Sequence, residues 1–372
     1  MPAGTRSRIL VVDDSAVMRS LLRSVINADP RLEVVGSATD GAAALDAIST
    51  LAPDLVLLDV EMPGMDGLTT LKRLRTNGCR VPVIMCSSLT MRGARVTIEA
   101  LANGAADYVA KPAGQQNREQ AARTLSQELI PKIHALVWAP RCQQPPVPNV
   151  HSGSHFAPVS AVHSSVPPSI VAIGVSTGGP AALDQVLPFL PADFHLPVVV
   201  VQHMPEIFTG QLAERLNERC GLRVMEAAEG NAITPGKVLI ARGNWHMEVT
   251  PHARPALDPV AHLTQAAPEN HCRPSVDVLF RSLAAVYCGR VLAIVLTGMG
   301  SDGLAGCRLL RSQGATVLAQ DEATSAVWGM PGAVAMAGLA HRVMPLNAIA
   351  PEILRLSARS SNEARATRQT VV

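Results

Sequence analysis

Residues 169–180 read Ser-Ile-Val-Ala-Ile-Gly-Val-Ser-Thr-Gly-Gly-Pro. The apolar, largely β-branched run before Ser176 predicts a buried parallel strand, and the glycines followed by Pro180 predict a tight turn into a helix. Ser176 would then lie at the carboxyl end of the strand, where open α/β sheets bind their ligands. A serine in that place is a candidate nucleophile, although a serine before a helix is commonly only an N-cap. The stretch therefore predicts an α/β sheet and leaves the role of Ser176 open.

The composition of the whole chain excludes several classes of partner. Its 372 residues predict two domains, each large enough for its own core. A formal charge of +2 and 3% aromatic residues argue against a nucleic-acid surface. The sequence shows no signal peptide and no apolar segment near the ~20 residues of a spanning helix, so we expect no membrane insertion. Seven cysteines without a Cys-x-x-Cys pair are typical of reduced thiols and predict a cytoplasmic protein.

Patterning along the chain divides it into four segments. Alternating strands and helices are predicted for residues 6–125 and again for 169–355, with a linker at 126–168 and a tail at 356–372. The linker is rich in Pro, Ser, Val and His, without periodicity over much of its length. Its first part continues an amphipathic helical pattern, which Pro131 is expected to bend or end.

The first domain carries five βα units. Apolar runs at 9–12, 33–36, 55–58, 81–86 and 108–110 predict strands, with helical patterns between them. Five such units predict a doubly wound parallel sheet.

Polar residues follow the strands of this predicted sheet. Asp13 and Asp14 follow the first strand, Asp59 ends the third, Ser87 follows the fourth, and Lys111 follows the fifth. Three carboxylates at one edge repel one another unless a hard cation joins them, so Mg²⁺ is the expected ligand. One carboxylate could then accept a phosphoryl group while the cation, the lysine and the hydroxyl neutralise its oxygens. Ordinary helix caps would explain one of the first two aspartates, but not the lysine and hydroxyl at the same edge.

Three motifs of this segment resemble the receiver domain of two-component response regulators: Asp-Asp-Ser at 13–15, Leu-Leu-Asp-Val-Glu-Met-Pro-Gly-Met-Asp-Gly at 57–67, and Tyr-Val-Ala-Lys-Pro at 108–112. The resemblance implies a flavodoxin-like fold and a cognate histidine kinase as phosphodonor. It implies Asp59 as the phosphoryl acceptor and, with Asp13 and Asp14, as a Mg²⁺ ligand. Ser87 and Tyr108 would form the receiver switch with Lys111, and the peptide before Pro112 would be cis.

The second domain delivers three reactive side chains to one predicted edge. Apolar strands near 170–175, 196–201 and 291–296 lead into Ser176, His203 and Asp302, and another strand at 316–320 ends at Asp321. Shorter strands are predicted at 223–226, 238–241 and 245–249, the last two as a hairpin around Gly243-Asn244. The long strands predict a second doubly wound, Rossmann-like parallel sheet.

A serine hydroxyl needs an imidazole to take its proton, and the imidazole needs a carboxylate to fix its tautomer. Ser176, His203 and Asp302 supply these parts, and glycine-rich turns could donate N–H groups to an oxyanion. Taken separately, His203 could be a satisfied strand-end histidine and Asp302 a helix N-cap.

Two other motif interpretations stay open on the residues alone. Gly174-Val175-Ser176-Thr177-Gly178 matches the nucleophile elbow of α/β-hydrolases, but that fold orders its triad serine, acid, histidine. The pattern Gly298-x-Gly300-x-x-Gly303, followed by Asp321, matches the dinucleotide fingerprint and would indicate a receiver-controlled nucleotide-binding oxidoreductase. A receiver joined to a non-catalytic binding module is a further alternative.

The second domain is similar to the chemotaxis protein-glutamate methylesterases in five motifs, at 174–180, 202–204, 273–280, 297–303 and 320–325. The resemblance implies that Ser176 is the nucleophile, His203 the general base and Asp302 its orienting carboxylate. It also implies the Met299 N–H as oxyanion donor and Thr177 beside the histidine. Members of this family hydrolyse glutamate γ-methyl esters on chemoreceptors, releasing methanol, and many deamidate receptor glutamines. No cofactor is expected for the esterase reaction.

Overall fold

The computed structural model describes residues 6–112, 117–137, 167–254 and 256–369, with the backbone alone from 359 onward. Residues 138–166, most of the predicted linker, lie outside this range. None of the described helices is both long enough and apolar enough to cross a membrane.

The first domain is a five-stranded parallel sheet covered by helices on both faces. Its strands have the order β2-β1-β3-β4-β5, and all neighbouring strands are parallel. The strand order reverses between β1 and β3, which opens a crevice at their carboxyl ends. The elements are β1 (Ser7–Val12), α1 (Ala16–Asn27), β2 (Leu32–Ala38), α2 (Gly41–Leu51), β3 (Leu55–Asp59), α3 (Gly67–Thr76), β4 (Val83–Ser87), α4 (Met91–Ala102), β5 (Asp107–Ala110) and α5 (Arg118–Val137).

The second domain contains a larger sheet of seven parallel strands. Its elements are β6 (Ile170–Val175), α6 (Gly179–Val186), a 3-10 turn (Leu187–Phe189), β7 (Val198–Gln202), α7 (Glu206–Arg219), β8 (Arg223–Glu226), β9 (Lys237–Ile240), β10 (His246–Thr250), β11 (Val260–Thr264), α8 (Val276–Tyr287), β12 (Val291–Val295), α9 (Leu304–Ser312), β13 (Thr316–Gln320), α10 (Met330–Met336), β14 (Arg342–Met344) and α11 (Leu346–Gln369). The strand order is β14-β13-β12-β6-β7-β9-β8, with β10 and β11 in a separate two-stranded sheet. The order reverses between β12 and β6, so this sheet too has a crevice at its centre.

The continuous apolar runs in the sequence form the central strands. Every residue of β6, β7 and β12 is buried, because helices cover both faces of the sheet. The predicted fold class, two doubly wound parallel α/β domains, is confirmed.

The predicted hairpin around Gly243-Asn244 is wrong. Strand β9 lies in the main sheet, parallel to both β7 and β8, whereas β10 pairs antiparallel with β11. The two strands differ in burial. Val238, Leu239 and Ile240 of β9 are all buried, as an interior parallel strand requires, whereas buried and half-buried residues alternate towards the end of β10. Gly243 and Asn244 therefore connect two sheets.

The predicted boundary between residues 125 and 126 is also wrong, because α5 continues to Val137. Leu129 and Ile133 are fully buried in the core of the first domain. The apolar stripe on this side of the helix extends past Pro131, and its burial outweighs the one hydrogen bond that proline removes.

The second domain likewise extends beyond its predicted end at residue 355. Helix α11 runs from Leu346 to Gln369. Within it, Leu356 packs against the core and Ser357 is 2% exposed. Residues 356 and 357 therefore belong to the domain and not to a separate tail.

Candidate functional site

Ser176 and His203 lie side by side at the centre of the larger sheet. Val175 and Gln202 are register partners in neighbouring strands, so the next residue of each chain leaves the sheet at the same level. The His203 N–H donates to the Val175 carbonyl over 3.1 Å. Asp302 follows β12, the neighbour of β6 on its other side. The sheet therefore brings the three predicted side chains to one edge, at its topological switch point.

The loop after β6 orients Ser176 without using it as a helix cap. Helix α6 begins behind Gly178, whose φ of +77° suits glycine, and it has no side-chain cap. The Ser176 N–H donates to the Thr297 carbonyl over 3.0 Å. A Cβ at position 298 would lie 2.8 Å from the Ser176 Cβ, so the close approach of these loops requires Gly298. The N-cap alternative therefore does not describe Ser176.

His203 and Asp302 form a nearly buried pair. The His203 Nε2 lies 2.8 Å from Asp302 Oδ2, and the two side chains are 11% and 2% exposed. A carboxylate only accepts, so Nε2 carries a proton and a neutral imidazole has its lone pair on Nδ1. That Nδ1 lies 3.5 Å from the Cys272 Sγ. Among the described residues, His203 makes no hydrogen bond to the Ser176 Oγ. Both residues nevertheless line one cleft of about 910 Å³.

The electrostatics of this pair favour a protonated imidazole. Burial alone would lower the pKa of His203, but its bonds to Asp302 and Cys272 outweigh burial and raise that pKa above its usual value. Burial alone would raise the pKa of Asp302, but the bond from His203 and its other donors hold that pKa far below the usual range. Asp302 is therefore ionised and stabilises positive charge on the ring.

Sequence reasoning missed the residues that hold Asp302 in place. Its carboxylate accepts hydrogen bonds from the backbone N–H groups of Val276 (2.7 Å), Asp277 (3.1 Å) and Gly303 (3.0 Å), from Ser275 Oγ (2.9 Å) and from Asn270 Nδ2 (2.8 Å). Two of these donors are the unpaired N–H groups at the start of α8, a site that favours negative charge. The motif at 273–280 contributed to the family resemblance, but it did not indicate that this segment binds the carboxylate of Asp302.

The nucleotide-binding alternative finds no support at this loop. The Gly303 N–H and the start of α8 are already occupied by the Asp302 carboxylate. Asp321 Oδ1 accepts from the N–H (3.0 Å) and the hydroxyl (2.6 Å) of Thr324, which is the geometry of a turn cap.

Met299 and Thr177 occupy different places around the nucleophile. Met299 lines the cleft with Ser176, and its N–H has no acceptor among the described residues. The Thr177 hydroxyl is buried and donates to Asp107 Oδ2 of the first domain over 2.7 Å. The N–H of Met299 is thus free for an oxyanion, whereas Thr177 contacts the other domain.

A second site lies at the switch point of the smaller sheet. Lys111 Nζ lies 2.8 Å from Asp13 Oδ2 and 2.7 Å from Asp59 Oδ1. The ligand atoms of Asp13, Asp14 and Asp59 fall within 4.8 Å of one another. Asp13 and Asp59 are buried and Asp14 is exposed, which leaves the site open on one side. The sheet thus assembles the acidic cluster and the lysine expected from the sequence.

The chemistry of this cluster fits a hard cation. Burial raises the pKa of Asp59 to about 6, an effect that Lys111 partly offsets and Asp13 increases. The Asp59 Oδ2 is buried and has no hydrogen-bond partner among the residues that the structure describes. A buried, unpartnered carboxylate oxygen beside two further carboxylates is the donor set that Mg²⁺ prefers.

Ser87 and Tyr108, the two predicted switch residues of the first domain, are both buried. Ser87 Oγ accepts from Thr97 Oγ1 over 2.7 Å, and Tyr108 packs its ring against Phe208 of the second domain, with centroids 4.5 Å apart. The peptide before Pro112 is not cis: within the described ranges only Arg273–Pro274 is. That expectation is wrong, and the contacts around Lys111 offer no physical account of the difference.

The first domain covers the cleft that contains Ser176. Leu101, Tyr108 and Lys132 of the first domain line this cleft together with Ser176 and His203 of the second. Lys132 Nζ lies 3.6 Å from Asp107 Oδ1, and the other oxygen of Asp107 accepts from Thr177. The start of β5 and the body of α5 therefore line the cleft that contains the candidate nucleophile.

These features define a class: a receiver-type domain joined to a parallel α/β domain with a serine, a histidine and an aspartate at its switch point. Residues 9–123 match the response regulator receiver domain, and residues 171–353 match the CheB methylesterase family. The chain belongs to the family of receiver-linked protein-glutamate methylesterases/protein-glutamine glutaminases, which confirms the resemblance found in its motifs.

Relatives of this family match almost the whole chain. A protein-glutamate methylesterase/protein-glutamine glutaminase of Nocardioides sp. is 50% identical over 359 residues, 95% of this chain and 96% of its own. A protein of the same name from Trichodesmium erythraeum is 46% identical, with 94% and 98% covered. The solved catalytic domain of Thermotoga maritima CheB methylesterase is 40% identical, with 51% and 100% covered and a TM-score of 0.49.

Proposed function

We propose that this chain hydrolyses γ-methyl esters of glutamate on chemoreceptors, releases methanol, and is controlled by phosphorylation of its own receiver domain. The observation that carries the proposal is the buried His203–Asp302 pair beside Ser176 at the edge of one sheet. Relatives at 43–50% identity carry the names of both the esterase and the glutaminase activity. We therefore include deamidation of receptor glutamines in the proposal.

In the proposed mechanism Ser176 Oγ attacks the ester carbonyl and gives its proton to Nδ1 of His203. Nδ1 is assigned this role because Nε2 is bonded to Asp302. The negative oxygen of the tetrahedral intermediate would accept from the free N–H of Met299. The imidazolium that forms is stabilised by the ionised Asp302.

Collapse of the intermediate breaks the bond to methoxide, which leaves as methanol with the proton from Nδ1. Water then gives a proton to Nδ1 and attacks the acyl-enzyme, and Ser176 regains that proton as the glutamate carboxylate departs. With a glutamine substrate the same steps release ammonia. Substrate enters as a protein side chain, so we expect the first domain, which lines the cleft, to move aside when the receptor binds.

We propose Asp59 as the phosphoryl acceptor, with a cognate histidine kinase as donor in the cytoplasm. Asp13, Asp14 and Asp59 would hold Mg²⁺, which supplies positive charge beside the transferred group. Lys111 contributes the second positive charge, and Ser87 a hydroxyl. Tyr108 couples this site to the esterase domain, because its ring packs against Phe208.

A serine-directed phosphonate tests the esterase assignment. We expect covalent labelling of the peptide containing Ser176, because the pair of His203 and Asp302 activates that hydroxyl alone. Peptide mass mapping locates the label, and Ser176→Ala is the control that should remain unlabelled. Equal labelling of the variant, or label on another serine, would refute Ser176 as the nucleophile.

Phosphorylation should increase esterase activity. A small-molecule phosphodonor such as acetyl phosphate, added with Mg²⁺, is expected to raise methanol release from methylated receptor by ~5- to 150-fold, the range of ordinary allosteric coupling. The physical reason is release of the contact that α5 and Tyr108 make over the cleft. Asp59→Asn, nearly identical in shape, is the matched control. An equal response of this variant to the donor would show that Asp59 is not the acceptor.

A further inference from the structure

Cys272 lies against the catalytic imidazole and has no part in the mechanism above. Its Sγ is 3.5 Å from Nδ1 of His203, and the residue is half-buried in the wall of the cleft. The ligand atoms of His203, Cys272 and Asp302 fall within 4.8 Å of one another. A thiol, an imidazole lone pair and a carboxylate are thus gathered outside the acidic site of the first domain.

The separation of sulfur and nitrogen matches that of two ligands on one metal ion. Tetrahedral zinc has bonds of ~2.3 Å to thiolate and ~2.0–2.1 Å to imidazole, which places the two ligand atoms ~3.5 Å apart. The observed distance is 3.5 Å, so both side chains could ligate one ion with little movement. The Asp302 carboxylate holds the opposite ring nitrogen, as outer-shell carboxylates do when they orient a metal-ligating histidine.

We propose that His203 and Cys272 form an inhibitory binding site for a thiophilic divalent cation of the zinc class. Binding replaces the proton of the Cys272 thiol by the metal and also displaces the Nδ1 proton of a protonated imidazole, so one proton is released from the thiol and a second from the imidazolium. The ion occupies Nδ1, the atom that must take the proton of Ser176, and the esterase loses its base. Remaining coordination positions face the cleft, where water or the Ser176 hydroxyl can fill them.

The chain can keep this ion apart from the one in the receiver. Thiolate and imidazole select zinc-class ions, whereas sites built only from carboxylates select magnesium. Asp13, Asp14 and Asp59 offer oxygen alone, and His203 with Cys272 offers nitrogen and sulfur. Millimolar Mg²⁺ should therefore fill the first site without displacing a zinc-class ion from the second.

The binding test uses Co²⁺ with the full chain in excess Mg²⁺, because a cobalt–thiolate bond gives a charge-transfer absorption that carboxylates do not. We expect this band in the wild type and in Cys288→Ser, which removes an exposed thiol. We expect its loss in Cys272→Ser and Cys272→Ala. No band in the wild type, or a band that persists in both variants, overturns the site. In wild-type protein, Zn²⁺ should also protect Cys272 from iodoacetamide, a measurement that needs no variant.

The inhibition test rests on the proposed function and is separate from the binding test. Zn²⁺ should abolish methanol release, a chelator should restore it, and Cys272→Ser should raise the half-inhibitory Zn²⁺ concentration at least ~10-fold. A cobalt band with activity unaffected by Zn²⁺ overturns the inhibitory role. Wild-type protein that binds cobalt but never releases methanol contradicts the esterase proposal and leaves the metal site supported.

Discussion

Replacement of Ser176 by alanine should lower methanol release from methylated receptor by ~10⁴-fold or more. The variant keeps His203, Asp302 and the Met299 N–H in place, so only the nucleophile is lost. Any residual rate would come from substrate binding and the oxyanion donor acting on water. Steady-state kinetics of methanol production, with the receiver phosphorylated in both proteins, measure the difference.

The matched control for this substitution is Ser312→Ala, at an exposed position near the end of α9. Its hydroxyl donates only to the carbonyl of Leu309 in the same helix. We expect wild-type activity from this control and an unchanged melting temperature for both variants. Near-normal activity of Ser176→Ala would remove the covalent mechanism, even if the phosphonate labels the wild type.

The sequence predicted both switch-point sites because their residues directly follow continuous apolar strands. The continuous apolar runs of strands such as β6 and β12 indicate buried parallel strands. The residue that follows each run must lie at the edge formed by the carboxyl ends of the strands. Asp13, Asp59, Ser176 and His203 were found in this way. Asp302 lies seven positions after Val295, the last residue of β12, so strand position alone did not predict its place. It was predicted because a serine and a histidine need a carboxylate to form a triad.

What periodicity could not predict are contacts made by irregular segments. Asn270 and Cys272 lie in a loop between β11 and α8, and β11 itself escaped prediction. Their approach to Asp302 and His203 depends on how that loop packs across the sheet edge. The bond between Thr177 and Asp107 joins residues 70 positions apart in different domains, and no local pattern encodes it.

The errors in element bounds have the same origin. Local chemistry predicted that Pro131 would bend or end the helix, but the burial of Leu129 and Ile133 in tertiary packing kept α5 continuous. This extension bears on function, because Lys132 on the same part of α5 lines the cleft with Ser176. A domain boundary at 125 would have left out the segment that covers the active site.

Asp302→Asn should lower kcat by ~10³- to 10⁴-fold while Ser176 and His203 stay in place. The two carboxylate oxygens of Asp302 accept hydrogen bonds from six donors. An asparagine side chain would replace one of these oxygens by an NH₂ group, which only donates. That NH₂ group would face N–H or O–H donors and repel them, so the tautomer of the imidazole would no longer be fixed. The start of α8 would also lose the negative charge that stabilises it. We therefore also expect a lower melting temperature, and rates must be measured well below it.

The pH profile separates this electrostatic role from a merely structural one. In the wild type, the bond to Asp302 raises the pKa of His203, so kcat/KM should increase with pH along a limb above the usual value of 6.5. Without the carboxylate, His203 loses one of the two groups that raise its pKa against burial, so that pKa falls and the acid limb of Asp302→Asn should move to lower pH. The control is Asp277→Asn, which removes a neighbouring buried carboxylate that is bonded to Asn270 and Gly306 but not to His203. The acid limb of this variant should lie at the same pH as that of the wild type. If Asp302→Asn retained the wild-type limb, Asp302 would not be the group that sets the proton affinity of the base.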